Sequence, residues 1–197
     1  MADDEYEPSN VAPMQTGKVI PPQRSVTAYP PIDLDPHFTR VVKYARPSDW
    51  AEFAILPWTG VGFFHWWHGR YGSDTKMAYK ACQRVNFSVG LMTAFCVLYV
   101  RSSYRFMGFR ENARETEMDM REMTDRVKKG LPLYGESRLS EYMQGVAARN
   151  SRNSQVLLHV LPMFNIVNHN MHGVDTAKYY RNAERELEAE GKKAAGS

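Results

Sequence analysis

The fold of this chain is decided by the uncharged run Phe87-Ser88-Val89-Gly90-Leu91-Met92-Thr93-Ala94-Phe95-Cys96-Val97-Leu98-Tyr99-Val100. Toward its N-terminal side the first charge is Arg84, whose long side chain can reach an interface from a helix end. Arg101 and Arg105 close the other end. An apolar segment of this length is typical of a membrane-spanning helix. The pattern predicts a span over residues 83–101.

A second apolar segment, Trp50 to Trp67, is also long enough to cross a bilayer and has Glu52 as its only formal charge. Tryptophans at both ends resemble the aromatic belts of membrane helices, which also tolerate internal Gly and Pro. The alternative is a buried helix of a soluble protein. We favour a span over residues 50–67, and therefore an all-α membrane protein with a two-helix transmembrane hairpin over 48–105.

Small residues recur in the second predicted span, at Ser88, Gly90 and Ala94. Small side chains allow the backbones of two membrane helices to approach closely. The contact they predict lies either within the hairpin or against a larger membrane protein.

The residues before the hairpin divide into two parts. Residues 1–36 are rich in Pro and polar residues and predict an extended or disordered arm, either a free tail or a chain laid over a neighbour. Residues 37–47 predict a short amphipathic helix in which Phe38, Val41 and Val42 share one face. This helix lies either in a membrane interface or on a soluble surface.

The residues after the hairpin are dense with Met, Arg and Glu, and the stretch Arg101 to Glu188 predicts no core of its own. Favourable i,i+4 charge pairs such as Glu117/Arg121 predict a helix with an apolar stripe that some other surface covers. We predict an extramembrane, partner-binding region of helical and extended chain over 106–190.

Gly191 is predicted to end the last helix, and residues 191–197 to form a disordered tail. Buried aromatic and Arg side chains usually carry most of the binding energy of an interface. The candidate partner-contact residues are Phe106, Phe109, Tyr142, Arg149 and Phe164.

Composition excludes several classes of protein. The 197 residues carry a net charge of +3 with both signs interleaved, which leaves no basic face for nucleic acid. The start Met1-Ala2-Asp3-Asp4-Glu5 is acidic, unlike a secretory signal or a cleavable transit peptide. If their region is helical, Cys82 and Cys96 lie about 21 Å apart, too far for a disulfide.

Candidate chemistry is sparse. His65 with His68, and His169 with His172 and Asp175, have helical ligand spacing, but neither set has the Glu of a zincin motif or an obvious fourth ligand. We expect interface and hydrogen-bonding roles for these histidines. An ion-carrying role for Glu52 lacks a second buried acid or Lys. We therefore predict no catalytic, cofactor-binding or metal residues, no cofactor, and no enzyme.

Several longer motifs are collinear and not of low complexity. They are Pro31-Ile32-Asp33-Leu34-Asp35-Pro36-His37-Phe38-Thr39-Arg40-Val41-Val42, Tyr44-Ala45-Arg46-Pro47-Ser48-Asp49, Glu111-Asn112-Ala113-Arg114-Glu115, Glu117-Met118-Asp119-Met120-Arg121-Glu122-Met123, Pro132-Leu133-Tyr134-Gly135, 142–151, Asn168-His169-Asn170 and 172–180. With them the chain resembles the 21-kDa accessory subunits of mitochondrial complex I, the NADH:ubiquinone oxidoreductase, best known from fungi. The resemblance runs from about Tyr29 to Glu188 and departs at 1–28 and 51–81.

The resemblance implies a two-span, non-catalytic, supernumerary subunit of the complex I membrane arm in the mitochondrial inner membrane, which supports assembly and stability. Its implied partners are core and accessory subunits of that arm and membrane lipids. A weaker likeness to a small two-span accessory subunit of animals places it near the proximal pump module. The residues alone leave open a transient inner-membrane assembly or scaffold factor, or a small ion carrier using Glu52.

Overall fold

The computed structural model describes residues 26–72, 76–156 and 164–195. This part of the chain contains helices and irregular segments but no strand, which confirms the all-α prediction for it. The helices are α1 Phe38–Lys43, α2 Pro47–Tyr71, α3 Lys76–Phe106, α4 Ala113–Lys128, α5 Glu141–Val156 and α6 Ala177–Ala195. Most of the predicted arm, at 1–25, and the end of the predicted tail lie outside the described residues.

Helices α2 and α3 form an antiparallel hairpin. The Nδ2 of Asn86 donates to the carbonyl of Gly60 at 2.8 Å, and Gly90 packs directly against Pro57. A Cβ added at Gly90 would lie 2.9 Å from the Cα of Pro57 and 3.1 Å from its carbonyl oxygen. The close approach predicted from the small residues is therefore a contact within the hairpin.

The two helices of the hairpin differ in composition. By length and apolar content, α3 is the one helix of the described residues that qualifies as a membrane span. Helix α2 carries Glu52, His65 and His68, and its tryptophans combine an apolar ring with a polar N–H. The helical hairpin is thus present, while a membrane crossing by both of its helices stays a prediction.

The rest of the described chain packs into a body at the base of the hairpin, around two apolar clusters. The first combines the arm, α1 and the end of α3, through Ile32, Val41, Tyr44, Tyr99, Val100 and Phe106. The second joins α4 to α6, through Met123, Val127, Leu133, Tyr179 and Ala183. The expectation that Arg101 to Glu188 has no core of its own is therefore wrong. Its sparse apolar residues meet because α4 and α6 lie side by side.

The described part of the arm is extended and lies on the chain's own body. Its backbone N–H groups at Tyr29, Ile32 and Leu34 donate to the carbonyls of Gly108, Phe106 and His172 at 3.1, 2.8 and 3.0 Å. Gly108 has φ +80°, and a Cβ there would lie 2.4 Å from the Tyr29 carbonyl oxygen. This turn is where the arm crosses the end of α3.

Helix α6 runs to Ala195. The prediction that it ends at Gly191 is therefore wrong. One Gly costs a helix only about 1 kcal/mol relative to Ala. The Lys128 ammonium contacts Glu186 and Glu190 at 2.6 and 2.9 Å, which holds this part of α6 against α4.

The contact between Gly90 and Pro57 makes a matched pair of substitutions informative. Gly90→Ala places a methyl group against backbone that must shift, and we expect a loss of about 1–3 kcal/mol of stability. Gly62→Ala, in α2, meets no atom within 4 Å, so we expect no loss, because Ala favours a helix. Thermal unfolding of the purified full chain in detergent measures both. Equal behaviour of the two variants would contradict the packing.

Candidate functional site: a buried ionic cluster

The most unusual feature of the body is a group of buried or nearly buried ionisable side chains, which we call the ionic cluster: Asp33, Asp35, Arg40, Asp119, His169 and His172. Four segments supply them, namely the arm, α1, α4 and the loop before α6. The arm contributes two of the acids, Asp33 and Asp35. The Asp35 N–H donates to the Asp33 carboxylate at 2.9 Å, and this local hydrogen bond turns the chain toward the start of α1.

Arg40 lies at the centre of the ionic cluster. Its guanidinium donates to Asp33 at 3.0 Å and to Asp119 at 2.5 Å. The same group lies over the rings of Tyr44 and Phe106, 5.6 and 5.5 Å from their centroids, at cation–π distance. Burial opposes the charge, but Asp33 and Asp119 outweigh it and raise the pKa of Arg40. Arg40 therefore stays a cation and joins the arm and α4 through α1.

The two carboxylates on Arg40 differ. Burial works against ionisation of Asp33, but the charges of His172 and Arg40 outweigh it, and the pKa of Asp33 is lowered. Burial raises the pKa of Asp119, and the charge of Arg40 and the Tyr179 hydroxyl offset only part of this. The Tyr179 hydroxyl donates to Asp119 at 2.5 Å and so connects α6 to the cluster. Asp33 is thus the more firmly ionised of the two.

The hydrogen-bond partners of His172 indicate its protonation state. Its Nδ1 lies 2.7 Å from the Asp33 carboxylate, and its Nε2 lies 2.7 Å from the carbonyl of His169. Both partners are acceptors, so both ring nitrogens donate and the ring is an imidazolium. Tyr134 stacks on this ring with centroids 3.6 Å apart. His172 therefore acts as a second buried cation on Asp33.

His169 has a different state, although it lies only three residues away. The Met171 N–H donates to its Nδ1 at 3.2 Å, so that nitrogen is an acceptor and the proton is on Nε2. Nε2 then donates to Asp35 at 2.9 Å. Asp35 also accepts from the Ser151 hydroxyl of α5. His169 is therefore a neutral hydrogen-bond donor that ties the arm to the loop before α6.

A second group of ion pairs holds the hairpin to the body. Asp49, near the start of α2, receives both Nη atoms of Arg105 at 2.6 and 2.8 Å. Arg46 donates to Glu115 of α4 at 2.7 and 2.6 Å. Glu52 pairs with Arg101 across the hairpin, which gives this acid a structural partner. The start of α2 and the end of α3 are thus fixed to each other and to α4 by charge-assisted hydrogen bonds.

The metal-ligand candidates from the sequence are dispersed. His65 contacts the Tyr79 hydroxyl at 2.6 Å, and the His68 ring packs on the same residue. His169 and His172 share the ionic cluster, whereas Asp175 accepts from the N–H of Ala177 at the start of α6. Among the described residues, no group of three or more His, Cys, Asp or Glu side chains is placed to hold a metal.

The five candidate partner contacts occupy different environments. Phe106 is 0% exposed and packs on Tyr44 in the first apolar cluster. It is therefore a core residue of this chain and not the partner contact that we predicted. Phe164 is half-buried against Tyr99. Phe109 and Tyr142 are 53% and 75% exposed, and Arg149 is exposed as well. Those three surface residues retain side-chain area for another chain.

The chain is similar in sequence to known proteins over most of its length. Residues 26–111 match the family model of the NADH-ubiquinone oxidoreductase complex I 21 kDa subunit. Residues 120–195 match the model of the C-terminal part of that subunit. The NADH-ubiquinone oxidoreductase 20.9 kDa subunit of Neurospora crassa is 52% identical over 165 residues, which cover 83% of this chain and 87% of that protein. The chain belongs to the complex I 21 kDa subunit family.

Membership in the 21 kDa subunit family confirms the resemblance found in the sequence, and it implies subunits of complex I as partners and a mitochondrial location. The chain is therefore a supernumerary subunit of an oxidoreductase complex, and not an enzyme in its own right. The ionic cluster lies where the two matched regions meet. Asp33 and Arg40 belong to the first region, and His169 and His172 belong to the second.

Sequence reasoning missed the ionic cluster as a unit. It expected His169 and His172 to make hydrogen bonds, which the structure confirms, but it assigned no role to Arg40. One signal was available: two acids one residue apart, Asp33 and Asp35, in an arm otherwise poor in charge near that point. The histidine partners of these two acids lie more than 100 residues away, so spacing alone could not connect them.

Removing Arg40 should be far more damaging than removing a surface Arg. In Arg40→Met the buried Asp33 and Asp119 lose their shared cation, and we expect a loss of about 3–5 kcal/mol of stability. The matched control is Arg121→Met in α4, whose side chain is 77% exposed and pairs with the exposed Glu117; there we expect less than about 1 kcal/mol. Denaturant unfolding of the purified full chain measures both. A similar small loss in the two variants would contradict a central role for Arg40.

Proposed function

We propose that this protein is a non-catalytic accessory subunit of the membrane arm of complex I in the mitochondrial inner membrane. Its α2–α3 hairpin spans that membrane, and its body binds neighbouring subunits on one side. In this role it supports the assembly and stability of the complex, while other chains carry the redox and proton-pumping chemistry.

The hairpin supports the membrane part of the proposal through its exposed apolar surface. Large apolar side chains point outward from both helices, for example Trp58 at 62% and Val89 at 56% exposure. Contiguous exposed apolar surface of this kind requires a lipid or protein partner. The helices have 25 and 31 residues, or about 37 and 46 Å at the helical rise, against about 30 Å of hydrocarbon. Both are long enough to cross.

The body supports the part of the proposal that concerns neighbouring subunits. Because the hairpin is antiparallel, α2 and α3 both join the body at the end where Asp49 meets Arg105. The body therefore lies on one side of the proposed membrane. Its buried acids and histidines hold its own segments together, so it offers neighbours a surface of fixed shape, with Phe109, Tyr142 and Arg149 exposed on it.

A cysteine-labelling experiment tests the crossing. In a background where Cys82 and Cys96 are replaced by Ser, Gly69→Cys marks the hairpin tip and Lys129→Cys marks the body. Gly69 meets no atom within 4 Å, and Lys129 is 67% exposed, so both substitutions are tolerated. A maleimide that cannot cross membranes is applied to mitoplasts and to inverted inner-membrane vesicles. We expect the two cysteines to be labelled from opposite sides.

Labelling of both cysteines from the same side would contradict a hairpin that spans the membrane. It would instead indicate that α2 and α3 lie along the surface or pack on a protein outside the bilayer. The outcome does not depend on whether the chain is a stoichiometric subunit.

Native-gel migration tests the role in complex I. Tagged protein from mildly solubilised mitochondria should co-migrate, at the stoichiometry of a subunit, with NADH dehydrogenase activity and with the membrane-arm subunits identified by mass spectrometry. The double variant Phe109→Ala, Tyr142→Ala should lower this co-migration, because exposed aromatic side chains often dominate binding. The control is Leu131→Ala, which removes an apolar side chain that is 54% exposed.

Two results would contradict the proposal. Substoichiometric migration in a separate small particle would identify an assembly or scaffold factor instead. Equal co-migration of the double variant and the Leu131→Ala control would remove Phe109 and Tyr142 from the interface.

A further inference from the structure

A cavity of about 230 Å³ opens beside the ionic cluster, between α1, α4 and the loop before α6. Its described lining includes four basic side chains, from His37, Arg40, Arg126 and His172, and no carboxylate. The acids that neutralise Arg40 and His172 belong to the ionic cluster and are not among the residues that line the cavity. The cavity is therefore faced by positive groups and N–H donors.

The donors that face the cavity are not all satisfied. Both Nη atoms of Arg40 are used by Asp33 and Asp119, but its Nε is buried and has no hydrogen-bond partner among the described residues. A buried donor without an acceptor costs about 1–3 kcal/mol. An acceptor atom in the cavity would remove that cost.

Two further donors come from the rim of the cavity. The Thr39 N–H donates to Nδ1 of His37 at 3.3 Å, so the proton of this ring is on Nε2. Arg126 makes two long contacts, to the Pro132 carbonyl at 3.3 Å and to Glu122 at 3.5 Å. Its side chain is about one-third exposed, so its guanidinium can turn toward an anion at little cost.

We propose that this cavity binds a phosphate group, held by Arg126 and His37 at the rim and by the Nε of Arg40 at its base. Guanidinium groups match the oxygen geometry of phosphate and form its strongest hydrogen bonds. The imidazolium of His172 adds positive charge, although its own N–H groups are already engaged. The site is distinct from any contact surface predicted from the sequence.

The phosphate group has two possible sources, a free phosphate ion and the headgroup of an anionic phospholipid. The position of the cavity favours the lipid. Val167 lines it, the adjacent Ile166 is 72% exposed, and Phe38 of α1 packs on Phe95 of the proposed span. Apolar side chains thus adjoin the cavity, and α1 connects its rim at His37 to the hairpin through Phe38. The lipid source rests on the proposed membrane crossing, whereas binding of a phosphate group does not.

The test uses the purified full chain in detergent. Thermal unfolding is recorded with inorganic phosphate, and with micelles doped with phosphatidylglycerol or with phosphatidylcholine, because a ligand that binds the folded state raises the Tm. We expect phosphatidylglycerol to raise the Tm and phosphatidylcholine to have little effect. Arg126→Gln should weaken the apparent affinity about tenfold or more, the effect of losing a charge-assisted hydrogen bond.

A matched control and a second variant keep the result interpretable. Arg121→Gln removes the same charge from α4 at a position that does not line the cavity, and it should bind like the wild type. Thr39→Glu introduces a carboxylate at the exposed rim and should abolish binding. Each variant is compared with its own Tm without ligand, so a change in folding stability is not mistaken for a change in binding.

Each outcome decides the proposal. A response to phosphatidylglycerol that Arg126→Gln and Thr39→Glu remove supports it with a lipid source. A response to inorganic phosphate with the same dependence on these variants supports it with a free-ion source. No response to either probe overturns it, as does a response that both Arg126→Gln and Arg121→Gln leave unchanged. Opposite-side labelling of the hairpin with no ligand response would leave the proposed function intact while the site is rejected.

Discussion

The body of this protein depends on the contact of Arg40 with Asp33 and Asp119. Carboxylates removed from water are strongly unfavourable unless a cation and hydrogen bonds replace the solvent. One guanidinium supplies both needs here, at 3.0 and 2.5 Å. The arm and α4 provide one acid each and α1 provides the cation between them, so this contact joins the three segments. The apolar clusters form on either side of it, with Phe106 and Tyr179 next to the charged groups.

The second group of ion pairs explains how the hairpin is oriented. Helix α3 continues without a break from the apolar run to Phe106, in the core of the body. Helix α2 is fixed beside it at one end, where Arg105 donates to Asp49, and by Gly90 against Pro57 farther along. These contacts hold α2 and α3 to each other and to the body. This arrangement suits the proposed role, in which the hairpin crosses the membrane and the body contacts neighbouring subunits on one side.

Local signals in the sequence predicted the elements of this fold but not their tertiary contacts. The uncharged run of α3, the i,i+4 pairs of α4 and the small residue at Gly90 all act over a few residues, and each appears in the structure as expected. The core between α4 and α6 was missed because Met123 and Tyr179 are isolated among charges and far apart in the chain. The ionic cluster was missed for the same reason, since Asp33 and His172 are 139 residues apart.

A buried ionic cluster specifies a structure more than it stabilises one, because well-packed apolar residues of similar size are often as stable. In this protein the ionic cluster fixes the register of the arm on the body. The arm has few apolar residues to fix its register on the body, and an extended chain that slips by one residue turns every side chain to the opposite face. Such a slip would move Asp33 away from Arg40 and His172, so that Asp33 and His172 would lose their ion pair and Arg40 would keep Asp119 alone. His169 adds the same constraint through Asp35. Two acids in an extended arm thus select one register, and with it the position of the arm across α3 that completes the body.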